Sequence, residues 1–252
     1  MRVSVITVTY NSERHLEDCI QSVLAQSHPD LEHIIIDGGS TDRTPEIIKK
    51  YENRISKWIS EPDRGMYDAI NKGIKLCSGD VLGILNSDDV FASNDVVADI
   101  VKAFSDHDTD SLYGDLQYVD PDDLKQIYRN WKGKPYKRSL FRSGWMPAHP
   151  TFYIRRHLIE KYGYYENHYY SAADYEFMAR YLFRNRVSSY YLPKLMIKMR
   201  RGGQSNNNLK KRLRANRRDY LAMKKNGIPF PLLVSVLKPL SKIHQYLGST
   251  KK

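Results

Sequence analysis

The chain predicts an α/β fold: a mostly parallel sheet flanked by helices, with a basic helical extension behind it. Three observations lead there. Near-continuous apolar runs at Val3 to Val8, His33 to Ile36 and Val81 to Leu85 read as strands buried on both faces. Between the first two, Leu16, Cys19, Ile20, Val23 and Leu24 recur at helical spacing, and after the second, Ile47, Ile48 and Tyr51 do the same. Each run ends in a polar cluster, Thr9-Tyr10-Asn11, Asp37-Gly38-Gly39-Ser40 and Asn86-Ser87-Asp88-Asp89, at the sheet edge where open α/β folds bind ligands.

In chain order, Asn11 or Ser12 is the expected cap of the first helix, and Thr44 that of the second, with Pro45 at its first position, where a missing N–H goes unnoticed. A short strand near Trp58 to Ser60 leads into Glu61-Pro62-Asp63-Arg64-Gly65. Met66, Ile70, Gly73, Ile74 and Cys77 then give the apolar face of a helix that carries Asp68 and Asn71, and Asp95 to Phe104 is a further amphipathic helix. Beyond Ser111 the pattern changes to short strands, Leu112-Tyr113, Leu116 to Val119 and Gln126 to Arg129. The turn Asp120-Pro121-Asp122-Asp123 joins the last two into an antiparallel extension. Residues 132 to 147 read as a mobile loop, and 149 to 154 as a return to the sheet. Helices are expected at Arg156 to Tyr162 and Asp174 to Phe183, and strands at Ser189 to Leu192 and Met196 to Met199. Gly202-Gly203-Gln204-Ser205 breaks the pattern ahead of a basic helix at Asn208 to Lys225 and a proline-interrupted segment at Pro229 to Leu247. The division that follows is a catalytic domain over 1–205, with a nucleotide half at 1–110 and an acceptor half at 111–205, and a tail over 206–252.

With 252 residues the chain can build a substantial core. Cys19 and Cys77 fall on apolar helical positions far apart, which suits buried thiols better than a disulfide. No apolar stretch reaches the ~20 residues that span a bilayer, and the start is too short for a signal peptide, so the expected location is the cytoplasm. Charge is uneven. Between 194 and 252 sixteen Lys and Arg face one acid, Asp219, a net of +15 that leaves −4 for the rest of a chain whose total is +11.

The organising stretch is Asp80 to Phe91. Adjacent carboxylates at a strand end repel one another, and a hard divalent cation that also binds phosphate relieves the repulsion. The competing reading is a plain exposed turn.

Together with Ser4 to Asn11, Ile36-Asp37-Gly38-Gly39-Ser40-Thr41-Asp42 and Ala173-Asp174-Tyr175-Glu176-Phe177, this stretch resembles the inverting glycosyltransferases of family 2, over about residues 3 to 205. The resemblance implies the nucleotide-sugar fold of type A. It also implies a nucleoside-diphosphate donor, a UDP-sugar by preference, and an acceptor hydroxyl on a polyprenyl-linked or other glycan of a bacterial surface polysaccharide.

The same resemblance assigns roles. Thr9, Tyr10 and Asn11 border the nucleobase, Asp37 accepts its ring N–H, Asp63 and Arg64 sit on a loop that approaches the nucleotide, with Asp68 also on the nucleotide side, and Asp88 lies near the ribose. Asp89 holds Mg²⁺ or Mn²⁺ against the diphosphate. Asp174 is the base that takes the acceptor proton, with Glu176 second; Ala173 stands where the commonest pattern has Glu. His149 is a candidate near the metal or acceptor, and Arg200 and Arg201 are candidates to close over the diphosphate. Alternatives are a nucleotide-sugar binding protein with impaired catalysis and a nucleotidyltransferase. The second would need a Gly-rich phosphate loop where Thr9-Tyr10-Asn11 stands.

Basic residues interleaved with Leu209, Leu213, Tyr220 and Met223 suit an anionic membrane surface at the inner face of the cytoplasmic membrane. Nucleic acid is not expected, because the basicity is confined to the tail.

Overall fold

The computed structural model describes residues 1–202 and 209–240. Gln204, Ser205, the expected helix start at Asn208 and the end of the last segment, 241 to 247, lie outside the described residues. The elements are β1 (Val3–Thr9), α1 (Leu16–Leu24), β2 (Leu31–Asp37), α2 (Thr44–Lys50), β3 (Lys57–Ser60), α3 (Met66–Leu76), β4 (Val81–Ile84), β5 (Val90–Phe91) and α4 (Val96–Asp106). Then come β6 (Ser111–Val119), β7 (Ile127–Trp131), β8 (Tyr153–Arg155), α5 (His157–Tyr162), α6 (Ala173–Met178), β9 (Ser189–Arg200), α7 (Leu209–Lys225) and α8 (Pro231–Leu240).

One sheet runs β3-β2-β1-β4-β8-β6-β9-β5, with β7 added on β6, and it is continuous across residue 110. Its first four strands are parallel, with Thr9 level with Asp37 and Asp37 level with Ser60. From β8 onward the sheet is mixed: β8 runs antiparallel to β4 and to β6, while β9 runs parallel to β6. Side-chain alternation sends Ile6, Val8, Ile34 and Ile36 to one face, against Ala69, Ile70 and Ile74 of α3. Val5 and Ile35 go to the other face, which α1, α2 and α4 cover. At Gly73 a Cβ would stand 2.4 Å from Ile6 Cγ2, so α3 lies directly on the sheet. Overpacking there would cost ~1–3 kcal/mol, more than the ~1 kcal/mol an alanine returns in helix propensity.

Several local expectations change. Neither Asn11 nor Ser12 caps α1 through its side chain; the residue before the helix is His15, and Asn11 takes a left-handed φ of 48°. Thr44 opens α2 as its first residue, and its hydroxyl accepts from Ser12 N–H instead. The paired short strands at 112–119 and at 189–199 are single strands, β6 and β9, because each is paired along its length with the other through two register shifts. Two-residue β5 carried too little pattern to be read. The 132–147 loop is anchored: a 3-10 turn at Arg138–Ser143 buries Phe141, whose ring meets those of Tyr136, Tyr175 and Phe183. The expected helix at 174–183 widens into a π-helix at Ala179–Arg184. No helix among the described residues is long and apolar enough to cross a membrane.

Candidate functional site

The carboxyl ends of β1, β2, β3 and β4 share one edge, and their loops are stapled to one another there. Asn11 Oδ1 accepts from Thr41 N–H at 2.9 Å, and Asn11 N–H donates to Ser40 Oγ at 2.8 Å. Ser87 Oγ donates to Ser12 Oγ at 2.9 Å, tying the carboxylate stretch to the loop after β1. Tyr10 leaves 58% of its surface open, an unusual state for an aromatic side chain and one suited to stacking on a base. Thr9 is buried, with its hydroxyl unpartnered.

Asp37 occupies the expected strand end but has no exposed surface. Its carboxylate accepts from Ser40 N–H, Ser40 Oγ and Ser60 Oγ, three donors against about four lone-pair positions. It shapes the turn that follows β2 and keeps about one lone-pair position uncommitted. The carboxylate beside the opening is Asp63. It accepts from Gly65 N–H at 2.6 Å, and its Oδ2 stands 2.5 Å from where a Cβ on Gly38 would be, next to the Tyr10 ring.

Asp88 and Asp89 divide in the same way. Asp89, the residue expected to hold the metal, is fully buried: Asn86 Nδ2–H donates to its Oδ2 at 2.9 Å, and its Oδ1 has no partner. Asp88 keeps open surface. Burial raises the pKa of Asp88, and burial together with the like charge of Asp88 raises that of Asp89 well above the ordinary carboxylate range. A destabilised pair whose buried member keeps an orphaned oxygen fits a hard cation, with Asp88 the more accessible of the two. Among the described residues no three His, Cys, Asp or Glu side chains surround a cation. The remaining ligands would be diphosphate oxygens and water, the usual arrangement for Mg²⁺.

His149 immediately precedes β8, whose antiparallel pairing with β4 (Gly83 level with Tyr153) brings it to the edge where Asn86 to Asp89 lie. Its Nε2 is 2.9 Å from Tyr165 Oη, and the ring of Tyr165 stacks between those of Tyr67 and Phe177. Asp174, the first acidic residue of α6, is half-buried; it accepts from its neighbour's N–H and acts electrostatically on His149, Tyr67 and Tyr165. Burial lowers the pKa of His149 against the opposing charge of Asp174, and burial followed by that same charge raises both phenols. All three groups are therefore neutral around the carboxylate at pH 7. Nothing in the sequence pattern singled out Tyr67 or Tyr165.

The other candidates do structural work. Glu176 has no exposed surface; it pairs with Arg180 at 3.0 Å and Lys225 at 3.2 Å and accepts from Asn226 Nδ2–H, which excludes it as a base in the crevice. Arg200 is 4% exposed and spends its guanidinium on Asp18, the Asp88 carbonyl and the Pro121 carbonyl, so it supports the carboxylate loop from behind. Arg201 lies over the Tyr128 ring at 4.1 Å. Asp68 is held by Arg64 and by Asn167 Nδ2–H. Arg64 itself is 85% exposed and free to swing to a phosphate from that weak pairing. Asn71, carried one turn further along α3, clamps the Tyr165 backbone through both its N–H and its carbonyl, which joins the two sides of the crevice.

A family model described as glycosyl transferase family 2 matches residues 4–163. The chain belongs to that family. An uncharacterized glycosyltransferase of Mycobacterium tuberculosis is 37% identical over 180 residues, 71% of this chain and 68% of the relative. Among solved structures, Staphylococcus aureus TarS superposes with a TM-score of 0.67 at 21% identity, covering 89% of this chain and 39% of TarS; its 1–349 fragment has been solved in complex with UDP. The mannosyltransferase PcManGT of Pyrobaculum calidifontis, in complex with GDP-Man and Mn²⁺, superposes with a TM-score of 0.67 at 18% identity, covering 97% of this chain and 70% of that one. These structural likenesses establish the glycosyltransferase type A fold for this family 2 chain. The motifs at Ser4 to Asn11, Ile36 to Asp42 and Asn86 to Asp89 fall inside the matched span; Asp174 falls beyond it.

Proposed function

We propose that the protein transfers one sugar, with inversion, from a UDP-sugar to a hydroxyl of a lipid-linked glycan during surface polysaccharide synthesis, at the inner face of a membrane. The reading is carried by one observation: exposed Tyr10 and half-buried Asp63 and Asp88 lie at the edge toward which His149, with Asp174 acting on it, comes from the other half of the chain.

On this reading Tyr10 stacks on the base and Asp63 accepts its imide N–H, with Gly38 leaving room between them. Asp88 holds a divalent cation, Mg²⁺ or Mn²⁺, which when bound neutralises charge on the departing diphosphate. The acceptor hydroxyl approaches from the opposite face of the sugar, as inversion requires. Asp174 takes its proton, and the neutral His149, Tyr67 and Tyr165 around it keep the carboxylate oriented and exclude water. TarS with UDP and PcManGT with GDP-Man and Mn²⁺ support a nucleoside-diphosphate donor for this fold. They differ in base, and a carboxylate beside Tyr10 accepts from guanine N1–H as well as from uracil N3–H, so the preference for uridine rests on the family resemblance.

The test is calorimetry of UDP and GDP with and without Mn²⁺. Mn²⁺-dependent preference for UDP is expected, with the cation dependence lost in Asp88→Asn. Equal binding of both nucleotides, or indifference to Mn²⁺, overturns it.

A further inference from the structure

Nine large apolar side chains are exposed among the described residues, and four of them crowd into 221–233: Leu221 at 42%, Phe230 at 77%, Leu232 at 69% and Leu233 at 57%. Nothing about their secondary structure requires this exposure. α8 packs on the 3-10 turn at Arg138–Ser143, and Val234 is buried, which leaves Leu232 and Leu233 on open surface. Phe230 holds a φ of 52°, a strained value for a bulky residue, and its ring remains the most exposed of the nine.

The exposed face of α7 beside this tip is cationic. On α7, Arg214, Arg217, Leu221 and Lys224 fall three, four and three residues apart, one helix face, and all four are exposed. The face opposite carries Ala222, Met223 and Asn226, buried against the body. The body supplies Lys137 and Arg142, both exposed, from the segment against which α8 rests.

We infer that the α7–α8 hairpin is a membrane-docking surface for an anionic bilayer: Phe230, Leu232 and Leu233 insert between headgroups while the Arg214–Arg217–Lys224 stripe contacts their phosphates. A protruding apolar tip beside a cationic helix face is the composition of an interfacial helix. A second copy of this chain, carrying the same positive charge on the same face, would repel itself there. The surface deepens the lipid-linked acceptor reading and rests on it for its purpose. The same turn that supports α8 leads within six residues to His149, so an acceptor anchored in the bilayer would meet the protein beside the crevice. α7 is joined directly to the helix that carries Asp174, through Lys225 and Asn226 on Glu176.

The experiment is flotation of the full chain with vesicles of phosphatidylcholine alone or mixed with phosphatidylglycerol. Wild type is expected to float with the anionic vesicles only and to be released by high salt. The triple variant Phe230→Ser, Leu232→Ser, Leu233→Ser is expected to lose about tenfold of its partitioning with UDP affinity unchanged. Arg217→Glu with Lys224→Glu should lose a similar amount. Partitioning that is insensitive to both variants, or equal on neutral vesicles, overturns the proposal. So does a wild-type dimer that the triple variant converts to monomer without any vesicle binding. If vesicle binding holds while nucleotide binding fails, the surface stands and the transferase reading falls.

Discussion

Residues 1–110 and 111–202 share one sheet, yet they fix their polar side chains by different means. In the first half the loops at neighbouring strand ends hold one another: Asn11 to Ser40 and Thr41, Ser12 to Thr44 and Ser87, Asp37 to Ser40 and Ser60. In the second half the partners come from helices rather than from strand-end loops: Glu176 is held by Arg180 one turn on and by Lys225 and Asn226 at the end of α7, and the Tyr165 backbone by Asn71 of α3. The consequence is common to both. Each half carries a pair of nearby carboxylates, Asp88 with Asp89 and Asp174 with Glu176, and in each pair packing buries one fully and leaves the other half-buried. On the proposed reading the buried member supports the site and the more accessible member meets the substrate.

Exchanging the two members of the second pair breaks this sorting most sharply. Asp174→Asn should lower kcat about 10³-fold while leaving UDP affinity and the urea midpoint unchanged, since general-base removal acts only on the transition state. Glu176→Gln should instead cost about 3 kcal/mol of stability, because Arg180, its side chain 8% exposed, loses its counter-charge. Its kcat per folded molecule should fall far less. Equal losses of turnover in both variants, with stability untouched, would mean that burial does not assign these roles.

Two histidines sharpen the comparison through pH. His33, buried in β2 with Nε2 3.0 Å from Thr7 Oγ1, has no charged neighbour; burial alone lowers its pKa from 6.5 to about 3. The unfolded chain takes up a proton below pH 6.5 that the folded protein refuses until about pH 3. The stability that neutral His33 contributes is therefore complete above 6.5 and drains away as the pH falls through that window, by up to roughly 5 kcal/mol. His33→Gln should flatten the slope of unfolding free energy between those limits. His149 is also lowered by burial, but Asp174 opposes the shift, so His149→Gln should change the slope less. A larger effect at His149 would separate it from Asp174.

The first half was legible because a parallel strand writes its burial into an unbroken apolar run, and the residues after it have nowhere to go but the common edge. What could not be read is which oxygen faces out. Asp37 and Asp89 sit in the motifs, but Ser40 and Ser60 occupy the first and Asn86 holds one oxygen of the second, and that depends on turn geometry with no periodic signature. The second half was less legible for a different reason. The interrupted patterns at 112–119 and 189–199 conceal single long strands whose mutual register shifts twice, and the contacts of Glu176 reach 50 residues ahead to Asn226. Arg200 looked like a phosphate ligand by charge alone, whereas its burial is set by Asp18, which lies 182 residues away.

Gly38 gives the smallest and most local test, on the side where a base would sit. Gly39 is unsuitable, since its φ of 80° would strain any side chain and its Cβ would press on the Pro62 backbone at 3.3 Å. Gly38 carries no such strain, so Gly38→Ala acts by volume. Its methyl would need the space of Asp63 Oδ2, 2.5 Å away, and would crowd Tyr10 Cδ2 at 3.4 Å. Asp63 would swing off Gly65 N–H into the space assigned to the base. UDP affinity should fall about tenfold by calorimetry with little change in melting temperature. Adding Asp63→Ala should give a double variant no weaker than Asp63→Ala alone, because the clash disappears with the carboxylate. Full additivity of the two losses would show instead that the glycine and the carboxylate act at separate places, and would detach Asp63 from the base.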